Sequence, residues 1–224
     1  MKIHLVGSNG FIGQHIKACD QNSFVCWSHA KNSPNHFDLM DESSWYNLFD
    51  KGPKNVIFLS WPGLPNYNQI YHLTDVMPQC ARFFEQLFIS GCKNILVAGT
   101  CYEYGLQDGA LSEDSICDPV NMYGIAKDSL RRALHQLADI HNARYAWLRI
   151  FYLYGANQNP RSLYPSLITA IKEKRDHFNI SSGRQIRDFV HIDDLVSQIL
   201  FLIKNTTARG VFNCASGNPM SIYE

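Results

Sequence analysis

Tyr123 and Lys127 are the residues of this sequence whose types and spacing are best suited to chemistry. They lie four positions apart in Tyr123-Gly124-Ile125-Ala126-Lys127, so a helix would present both on one face. An ammonium near a phenol stabilises the phenolate. The pKa of Tyr123 would then fall toward neutrality, and the phenol could exchange a proton with a substrate hydroxyl or ketone. Taken alone, the pair is equally well read as a solvated helix face.

A threonine hydroxyl is expected beside this pair. The apolar run Ile95-Leu96-Val97-Ala98 predicts a strand, and Thr100 follows it directly in Gly99-Thr100-Cys101-Tyr102-Glu103-Tyr104-Gly105. Ligands of parallel α/β sheets bind at the carboxyl ends of the strands. Thr100 would therefore reach the substrate oxygen that Tyr123 protonates or deprotonates, and the predicted catalytic residues are Thr100, Tyr123 and Lys127.

A glycine-rich turn near the start of the chain predicts a dinucleotide site. The turn has the pattern Gly-x-x-Gly-x-x-Gly and lies between a predicted strand and a predicted helix. Glycines let the backbone approach a pyrophosphate, whose charge meets the free N–H groups of the helix. An ordinary turn is the competing interpretation. The predicted cofactor contacts in this turn are Gly7, Asn9, Gly10, Phe11, Ile12 and Gly13.

The end of the second predicted strand bears on the choice between NAD and NADP. An acidic side chain there binds the ribose hydroxyls of NAD, whereas basic or small polar groups accept the phosphate of NADP. Here the residues are Ser28, His29 and Lys31, which favours NADP. Asp38, followed by Leu39, is the next acid along the chain, and it is equally well read as an adenine contact or as a turn residue.

Composition excludes several classes of function. Lys and Arg together number 20, as do Asp and Glu, so no overall field attracts nucleic acid or a membrane surface. No apolar run reaches the length of a membrane helix, and the N-terminus does not read as a signal peptide. The seven cysteines form no Cys-x-x-Cys pair, which favours free thiols in a reducing cytoplasm and no metal site.

Strand-like runs alternate with amphipathic stretches along the chain, which predicts a Rossmann-type, doubly wound parallel α/β sheet. The predicted strands are Lys2 to Val6, Phe24 to Trp27, Asn55 to Leu59, Asn94 to Ala98, Tyr145 to Ile150 and Val211 to Cys214. The predicted helices are Val76 to Ser90, Asn121 to His141, Leu163 to Lys174 and Asp193 to Lys204. Asp118-Pro119 would open the second of these, with Asp118 as its cap. Residues 1–155 would form the dinucleotide-binding domain, and residues 156–224 would supply late sheet elements and part of a substrate-binding lobe.

Through these motifs the sequence resembles the extended short-chain dehydrogenase/reductases, specifically the NAD-dependent epimerase/dehydratase group that acts on nucleotide sugars. The resemblance covers nearly the whole chain. It rests on the three glycines, on the Thr100 to Gly105 block, on the Tyr123/Lys127 pair and on four further blocks. These are Leu59-Ser60-Trp61, Leu148-Arg149-Ile150-Phe151 with Tyr154-Gly155, Gln185 to Asp194, and Phe212 to Gly217.

The resemblance implies several site roles. Leu59, Ser60 and Trp61 would contact the cofactor, and Lys127 would also bind the nicotinamide ribose. Arg187 would meet the diphosphate of a nucleotide-sugar substrate, in keeping with the fit of a guanidinium to phosphate oxygens. A surface ion pair of Arg187 with Asp188 is the alternative. Tyr102 and Tyr152 are the other predicted substrate contacts. Helices 76–90 and 121–141 would build a homodimer interface.

Departures from the family pattern narrow the expected reaction. Family dehydratases carry an Asp-Glu pair directly after the threonine, whereas this sequence has Cys101-Tyr102, so dehydration is not expected. Glu103 is displaced by one residue and is not taken as the base. Tyr152 replaces an asparagine common in the family, and the chain ends at Glu224, earlier than family chains usually do. A fragment, a truncated product and a short variant completed by a partner are all compatible with this ending.

Two functions follow from these residues. The first is an NAD(P)-dependent nucleotide-sugar epimerase or 4-ketoreductase in the synthesis of surface polysaccharide such as O-antigen. The second is a catalytically silent NAD(P)-binding sensor or assembly module, in which Tyr123→Phe would change nothing measurable.

Overall fold

A computed structural model describes residues 2–20 and 22–224 of the chain, which fold into helices on both faces of a parallel sheet. The strands are β1 (Ile3–Val6), β2 (Phe24–Trp27), β3 (Asn55–Phe58), β4 (Asn94–Ala98), β5 (Arg144–Ile150), β6 (Tyr152–Tyr154), β7 (Ile186–His191), β8 (Gly210–Cys214) and β9 (Pro219–Ser221). The α-helices are α1 (Phe11–Cys19), α2 (Tyr46–Phe49), α3 (Met77–Ile89), α4 (Met122–Ile140), α5 (Leu163–Lys172) and α6 (Ile192–Lys204).

The main sheet has six strands in the order β2-β1-β3-β4-β5-β8, and every neighbouring pair is parallel. The expected α/β fold is confirmed, and each of these six strands lies within one residue of its predicted bounds. The strand order reverses at β1, which has β2 on one side and β3 on the other. Ligands of such sheets bind at the carboxyl ends of the strands at this reversal, so the loops after β1 and β3 border the expected cleft.

The four central strands of the main sheet, β1, β3, β4 and β5, bury side chains on both faces. Val6, Phe58, Val97 and Trp147 point into one core, which α3 and α4 cover with residues such as Phe83 and Leu130. Their strand neighbours Leu5, Ile57, Leu96 and Leu148 point into a second core, which is completed by Ile16 of α1 and Ile199 of α6. Strands covered on both faces read as continuous apolar runs, which is why they were visible in the sequence.

The bounds of α4 lie within one residue of the predicted helix, but its capping residue differs from the prediction. Asp118-Pro119 does not open the helix, because Asp118 forms a bridge with Gly105 in extended conformation. Asn121 is the N-cap instead, and its side chain accepts a hydrogen bond from the Gly124 N–H at 2.8 Å. Both Asp and Asn suit a cap. Asp118 pairs with Gly105, which is distant in sequence, so Asn121 is left to cap the helix.

A π-helical turn, His72–Val76, precedes α3. The sequence predicted a helix from Val76, so this turn was missed. It places the imidazole of His72 fully inside the protein, beneath the loop that follows β3. Such turns interrupt regular helices and frequently occur at functional sites.

The later part of the chain contributes to two sheets. β8 completes the main sheet beside β5, while β6, β7 and β9 form a second sheet in the order β6-β7-β9. β7 pairs in parallel with β6 and antiparallel with β9. Among residues 2–20 and 22–224, no helix combines the length and apolar character needed to cross a bilayer.

Candidate active site

The glycine turn after β1 has the geometry of a cradle. Gly7 has a φ of +89°, which favours glycine, and a Cβ there would lie 3.2 Å from the backbone of Leu59 and Ser60. A Cβ on Gly13 would lie 2.3 Å from the Gly7 carbonyl oxygen. Gly10 is the N-cap of α1, so the first N–H groups of the helix face the turn. This arrangement fits a dinucleotide pyrophosphate, because a helix N-terminus attracts anions and the glycines leave the backbone open to them.

The segment after β2 is more exposed. The Nδ1 atom of His29 lies 3.3 Å from Oδ2 of Asp38, while Lys31 extends into solvent. Asp38 also accepts the N–H of Met40 at 2.9 Å, as a turn residue does. Ser28 is buried and its carbonyl accepts the N–H of Phe37. The ammonium of Lys31 and the imidazole of His29 are thus the groups that the structure exposes at this edge.

Thr100 and Tyr123 come together at the carboxyl end of β4. Thr100 caps the 3₁₀ turn Cys101–Tyr104. A Cβ on Gly124 would lie 2.7 Å from the carbonyl oxygen of Tyr102, so only glycine lets α4 start so close to this turn. Tyr123 and Thr100 are each 8% exposed. They are near enough for the threonine hydroxyl to act on the pKa of the phenol.

The pKa of Tyr123 differs from the prediction in direction. Burial raises it above the ordinary value for tyrosine, and the charge of Glu103 raises it further, whereas the Thr100 hydroxyl opposes the shift. The Nζ atom of Lys127 lies 5.8 Å from the centroid of the Tyr123 ring. The expected pKa near neutrality is therefore wrong for the free protein, and Tyr123 is a protonated phenol at pH 7.

Lys127 is buried as well, at 3% exposure. Its Nζ atom donates to the carbonyl of Ala98 at 2.7 Å and lies 3.9 Å from the centroid of the Trp61 ring. Burial lowers the pKa of Lys127 to about 8. The solvated helix face considered for this pair is excluded, because both side chains point into the protein.

The indole of Trp61 is held in place by His72. Trp61 Nε1 donates to His72 Nδ1 at 3.2 Å, and His72 Nε2 lies 3.0 Å from the carbonyl oxygen of Asn66. These contacts fix the ring whose face meets Lys127. Nothing in the sequence spacing connected His72 with the site, since the link depends on the π-helical turn.

Aromatic side chains line a cavity of about 280 Å³ next to the Thr100 turn. Tyr102 and Tyr152 have ring centroids 6.2 Å apart, and the guanidinium carbon of Arg187 lies 5.1 Å from the centroid of Tyr152. Arg187 is therefore a cavity residue. Asp188, its expected partner in a surface ion pair, accepts the N–H groups of Ser216 and Gly217 at 2.7 and 2.8 Å.

Glu103 faces away from this cavity, as its displacement in the sequence suggested. Its carboxylate is fully buried and accepts hydrogen bonds from Trp147 Nε1 at 2.8 Å and Arg149 Nε at 2.9 Å. Sequence reasoning assigned no role to Trp147 or Arg149. An arginine inside the apolar run Trp147-Leu148-Arg149-Ile150 was the available signal, because buried charges are almost always paired.

Fold and site together define a dinucleotide-binding α/β enzyme with a Thr/Tyr/Lys cluster at the edge of its sheet. The model of the NAD dependent epimerase/dehydratase family matches residues 3–215. The chain belongs to this family.

Two relatives and one solved structure illustrate the similarity. The dTDP-6-deoxy-L-talose 4-dehydrogenase (NAD(+)) of Aggregatibacter actinomycetemcomitans is 30% identical over 99% of this chain and 87% of its own length. The ADP-L-glycero-D-manno-heptose-6-epimerase of Brachyspira hyodysenteriae is 28% identical over 99% and 78%. The structure of MoeE5 in complex with UDP-glucuronic acid and NAD is 26% identical, with a TM-score of 0.78 over 100% of this chain and 79% of that one.

Proposed function

We propose that this protein is a nucleotide-sugar 4-ketoreductase, which reduces the C4 carbonyl of a nucleotide-activated hexose and also runs in the reverse direction. The observation that carries the proposal is the buried Thr100/Tyr123/Lys127 cluster at the carboxyl edge of the sheet, beside a turn suited to a pyrophosphate. Two similar proteins act on nucleotide sugars, one of them as a 4-dehydrogenase. A silent binding module is not favoured, since it gives no reason to bury these polar groups together.

The protonation states suit reduction. When NADPH is bound, it would supply the hydride for the carbonyl carbon. Tyr123, whose pKa burial raises, holds the proton that the developing alkoxide needs, and the Thr100 hydroxyl donates a hydrogen bond to the same substrate oxygen. Lys127 carries a positive charge below pH 8 and stabilises the phenolate left behind by Tyr123. The phenol of Tyr123 and the ammonium of Lys127 are thus in the protonation states that reduction needs before the substrate binds.

The cofactor contacts remain those proposed from the sequence. Gly7, Asn9, Gly10, Phe11, Ile12 and Gly13 would hold the pyrophosphate, with Leu59, Ser60, Trp61 and Lys127 around the nicotinamide half. Asp38 and Leu39 would border the adenine. Ser28, His29 and Lys31 select NADP, because the lysine ammonium, the imidazole and the hydroxyl can all meet its additional phosphate.

Substrate recognition is assigned to the aromatic cavity. Arg187 binds the diphosphate, since its guanidinium is the cation that the cavity lining contributes. Tyr102 and Tyr152 pack on the sugar ring. The replacement of the family's Asp-Glu pair by Cys101-Tyr102 leaves the cavity without the acid and base that dehydration needs.

A nucleotide-sugar epimerase is the second candidate, favoured by the similar heptose epimerase. In that reaction Tyr123 would exchange the proton with the substrate oxygen, and Thr100 and Lys127 would keep the roles given above. The two functions differ in cofactor use. Reduction consumes NADPH in proportion to product, whereas epimerisation leaves the absorbance of a retained cofactor unchanged after turnover.

The remaining proposals concern the whole protein. Residues 1–155 act as the cofactor-binding part, and residues 156–224 supply late sheet elements and part of the substrate-binding lobe. The protein forms a homodimer through α3 and α4 and works in the cytoplasm, where it makes sugars for a surface polysaccharide. Cross-linking and analytical ultracentrifugation test the dimer, which a monomer at all concentrations would exclude.

The test of the activity uses dTDP-6-deoxy-L-talose with oxidised NADP or NAD, and the dTDP-4-keto-6-deoxyhexose derived from it with the reduced cofactors. We expect the absorbance of the reduced nicotinamide to fall in step with formation of a C4 alcohol. Interconversion of sugars without net cofactor change would favour the epimerase. Stoichiometric cofactor binding without turnover of these sugars, UDP-glucose or an ADP-heptose would contradict both.

A further inference from the structure

A buried ion pair lies directly behind the Thr100 turn, outside the proposed catalytic set. Arg149 Nε donates to Glu103 Oε2 at 2.9 Å, and the two side chains are 2% and 0% exposed. The residues are 46 positions apart, on the turn after β4 and on β5. Replacing a buried ion pair by apolar residues is often neutral or stabilising, so stability alone does not account for this pair.

The carboxylate of Glu103 fixes the backbone of Thr100. Its Oε1 atom accepts the Thr100 N–H at 2.9 Å and Trp147 Nε1 at 2.8 Å, while the Thr100 hydroxyl accepts the Tyr102 N–H at 3.3 Å. A Cβ on Gly99 would lie 2.7 Å from Oε1 and 2.2 Å from Trp147 Nε1. The turn is thus held from both sides, which limits the positions that the Thr100 hydroxyl can take.

The guanidinium of Arg149 extends the same connection to a second part of the site. It donates to the Glu113 carbonyl at 3.0 Å and to Cys117 Sγ at 2.9 Å, and it lies 4.4 Å from the centroid of the Tyr104 ring. Glu113 and Cys117 belong to the segment 106–120, whose two ends line the aromatic cavity through Leu106, Gln107 and Val120. Arg149 therefore joins the 106–120 segment to Glu103, the residue that holds the backbone of Thr100.

We propose that Glu103 and Arg149 are positioning residues that set the Thr100 hydroxyl and the 106–120 segment in a fixed relation to each other. Neither is assigned a contact with substrate. This inference rests on the proposed function, in which Thr100 meets the substrate oxygen and the 106–120 segment borders the sugar. The Thr100 hydroxyl and the 106–120 wall of the cavity would then belong to one rigid unit.

Glu103→Gln tests the contacts of Glu103 with Thr100 and with Arg149 separately. The carboxylate accepts from Thr100 and Trp147 with one oxygen and from Arg149 with the other, whereas an amide has a single oxygen and must lose one side. In the double variant Glu103→Gln/Arg149→Met the competing donor is gone, so the amide oxygen can return to Thr100. The double variant also removes both charges of the pair, so neither is left buried without the other, while Arg131, whose Nε lies 4.0 Å from Glu103 Oε2, is unchanged.

Arg144→Met is the matched control. Arg144 is the other arginine of β5, at the opposite end of the strand, where it donates to the carbonyl of Leu202 at 2.8 Å and to that of Ala208. The control loses comparable hydrogen bonds far from Thr100. The wild type, the single variant, the double variant and the control are assayed for kcat and KM with NADPH and the dTDP-4-keto-6-deoxyhexose. The kcat of each is calculated from the concentration of protein that binds NADPH. Amide hydrogen exchange is measured for peptides covering 99–105 and 106–120.

We expect Glu103→Gln to lower kcat by about 10²-fold, because small misplacements of reacting groups cost about that much, and to leave NADPH binding within about twofold. Exchange should rise in residues 99–105. The double variant should regain most of the kcat but keep a raised KM and fast exchange in 106–120. Arg144→Met should match the wild type in all of these.

Wild-type kcat and slow exchange at 99–105 in Glu103→Gln would overturn the proposal, as would equal losses of kcat in the single and double variants. If the wild type turns over none of these sugars, the proposed function fails. The exchange rates still decide whether Glu103 and Arg149 hold the two segments.

Discussion

The two sides of the proposed cofactor cleft are built differently. On the catalytic side, Thr100, Tyr123 and Lys127 are nearly inaccessible and are held by Ala98, Trp61 and the start of α4. On the other side, His29 and Lys31 lie in solvent and make few contacts. The proposed catalytic geometry is therefore tied to the packing of the core, whereas the proposed preference for NADP would depend on side chains that can change without disturbing the fold.

Lys127→Met tests the buried side with the largest expected effect. Turnover should fall by about 10²–10⁴-fold, because the cation that stabilises the Tyr123 phenolate is removed. Thermal stability should stay the same or rise, since burial already disfavours the charge of Lys127. Steady-state kinetics and calorimetry on the same sample check this. A parallel loss of stability and activity would instead make Lys127 a structural residue.

Gly13→Ala tests the glycine turn. The added Cβ would lie 2.3 Å from the Gly7 carbonyl oxygen, so the turn must shift, at a cost of about 1–3 kcal/mol in the free energy of unfolding. NADPH binding should be lost with it. Gly52→Ala is the control, because Gly52 lies outside the turn and a Cβ there meets nothing within 4 Å, although its φ of +55° makes alanine somewhat strained there. Calorimetric titration should show that only Gly13→Ala loses the cofactor.

The pH dependence of the reduction tests the charge of Lys127. The pKa of this lysine is about 8, so the cation is present below that pH and lost above it. The pKa of Tyr123 is raised, so the phenol stays protonated over the same range. We expect kcat to fall as the pH rises through about 8. A rate that is flat from pH 6 to about 10 would contradict the role given to the cation.

Lys31→Ala has the smallest expected effect and sharpens the contrast between the two sides. We expect the Kd for NADPH to rise about tenfold, which corresponds to one charge-assisted hydrogen bond, while the Kd for NADH stays constant. The free energy of unfolding should change by less than about 0.5 kcal/mol, because Lys31 is exposed. Equal weakening of both cofactors would remove the case for NADP.

The sequence predicted more of the fold than of the site's physical state. The six strands of the main sheet were visible as short apolar runs, which in the four central strands are buried on both faces. The glycine turn and the Tyr123/Lys127 pair were visible because each is local. The capping residue of α4 was predicted wrongly, since Asp118 is drawn into a bridge with Gly105 that no local pattern reveals, and Asn121 caps the helix instead.

The direction of the Tyr123 pKa shift was missed for a similar reason. Spacing placed an ammonium one helical turn away but said nothing of burial. Tyr67, Trp61 and His72 surround the phenol with ring centroids within 5.7 Å, and all three come from other segments of the chain. The Glu103/Arg149 pair likewise joins two distant elements. These long-range contacts set protonation and position, which spacing alone does not encode.

A single-turnover comparison of the wild type and Tyr123→Phe tests the central claim most directly. Each protein, loaded with NADPH, is mixed with excess dTDP-4-keto-6-deoxyhexose, and nicotinamide absorbance and sugar product are followed together. The account predicts one C4 alcohol per NADPH consumed in the wild type and a rate about 10²–10⁴-fold lower in Tyr123→Phe, with NADPH binding unchanged. Equal rates in the two proteins would contradict it.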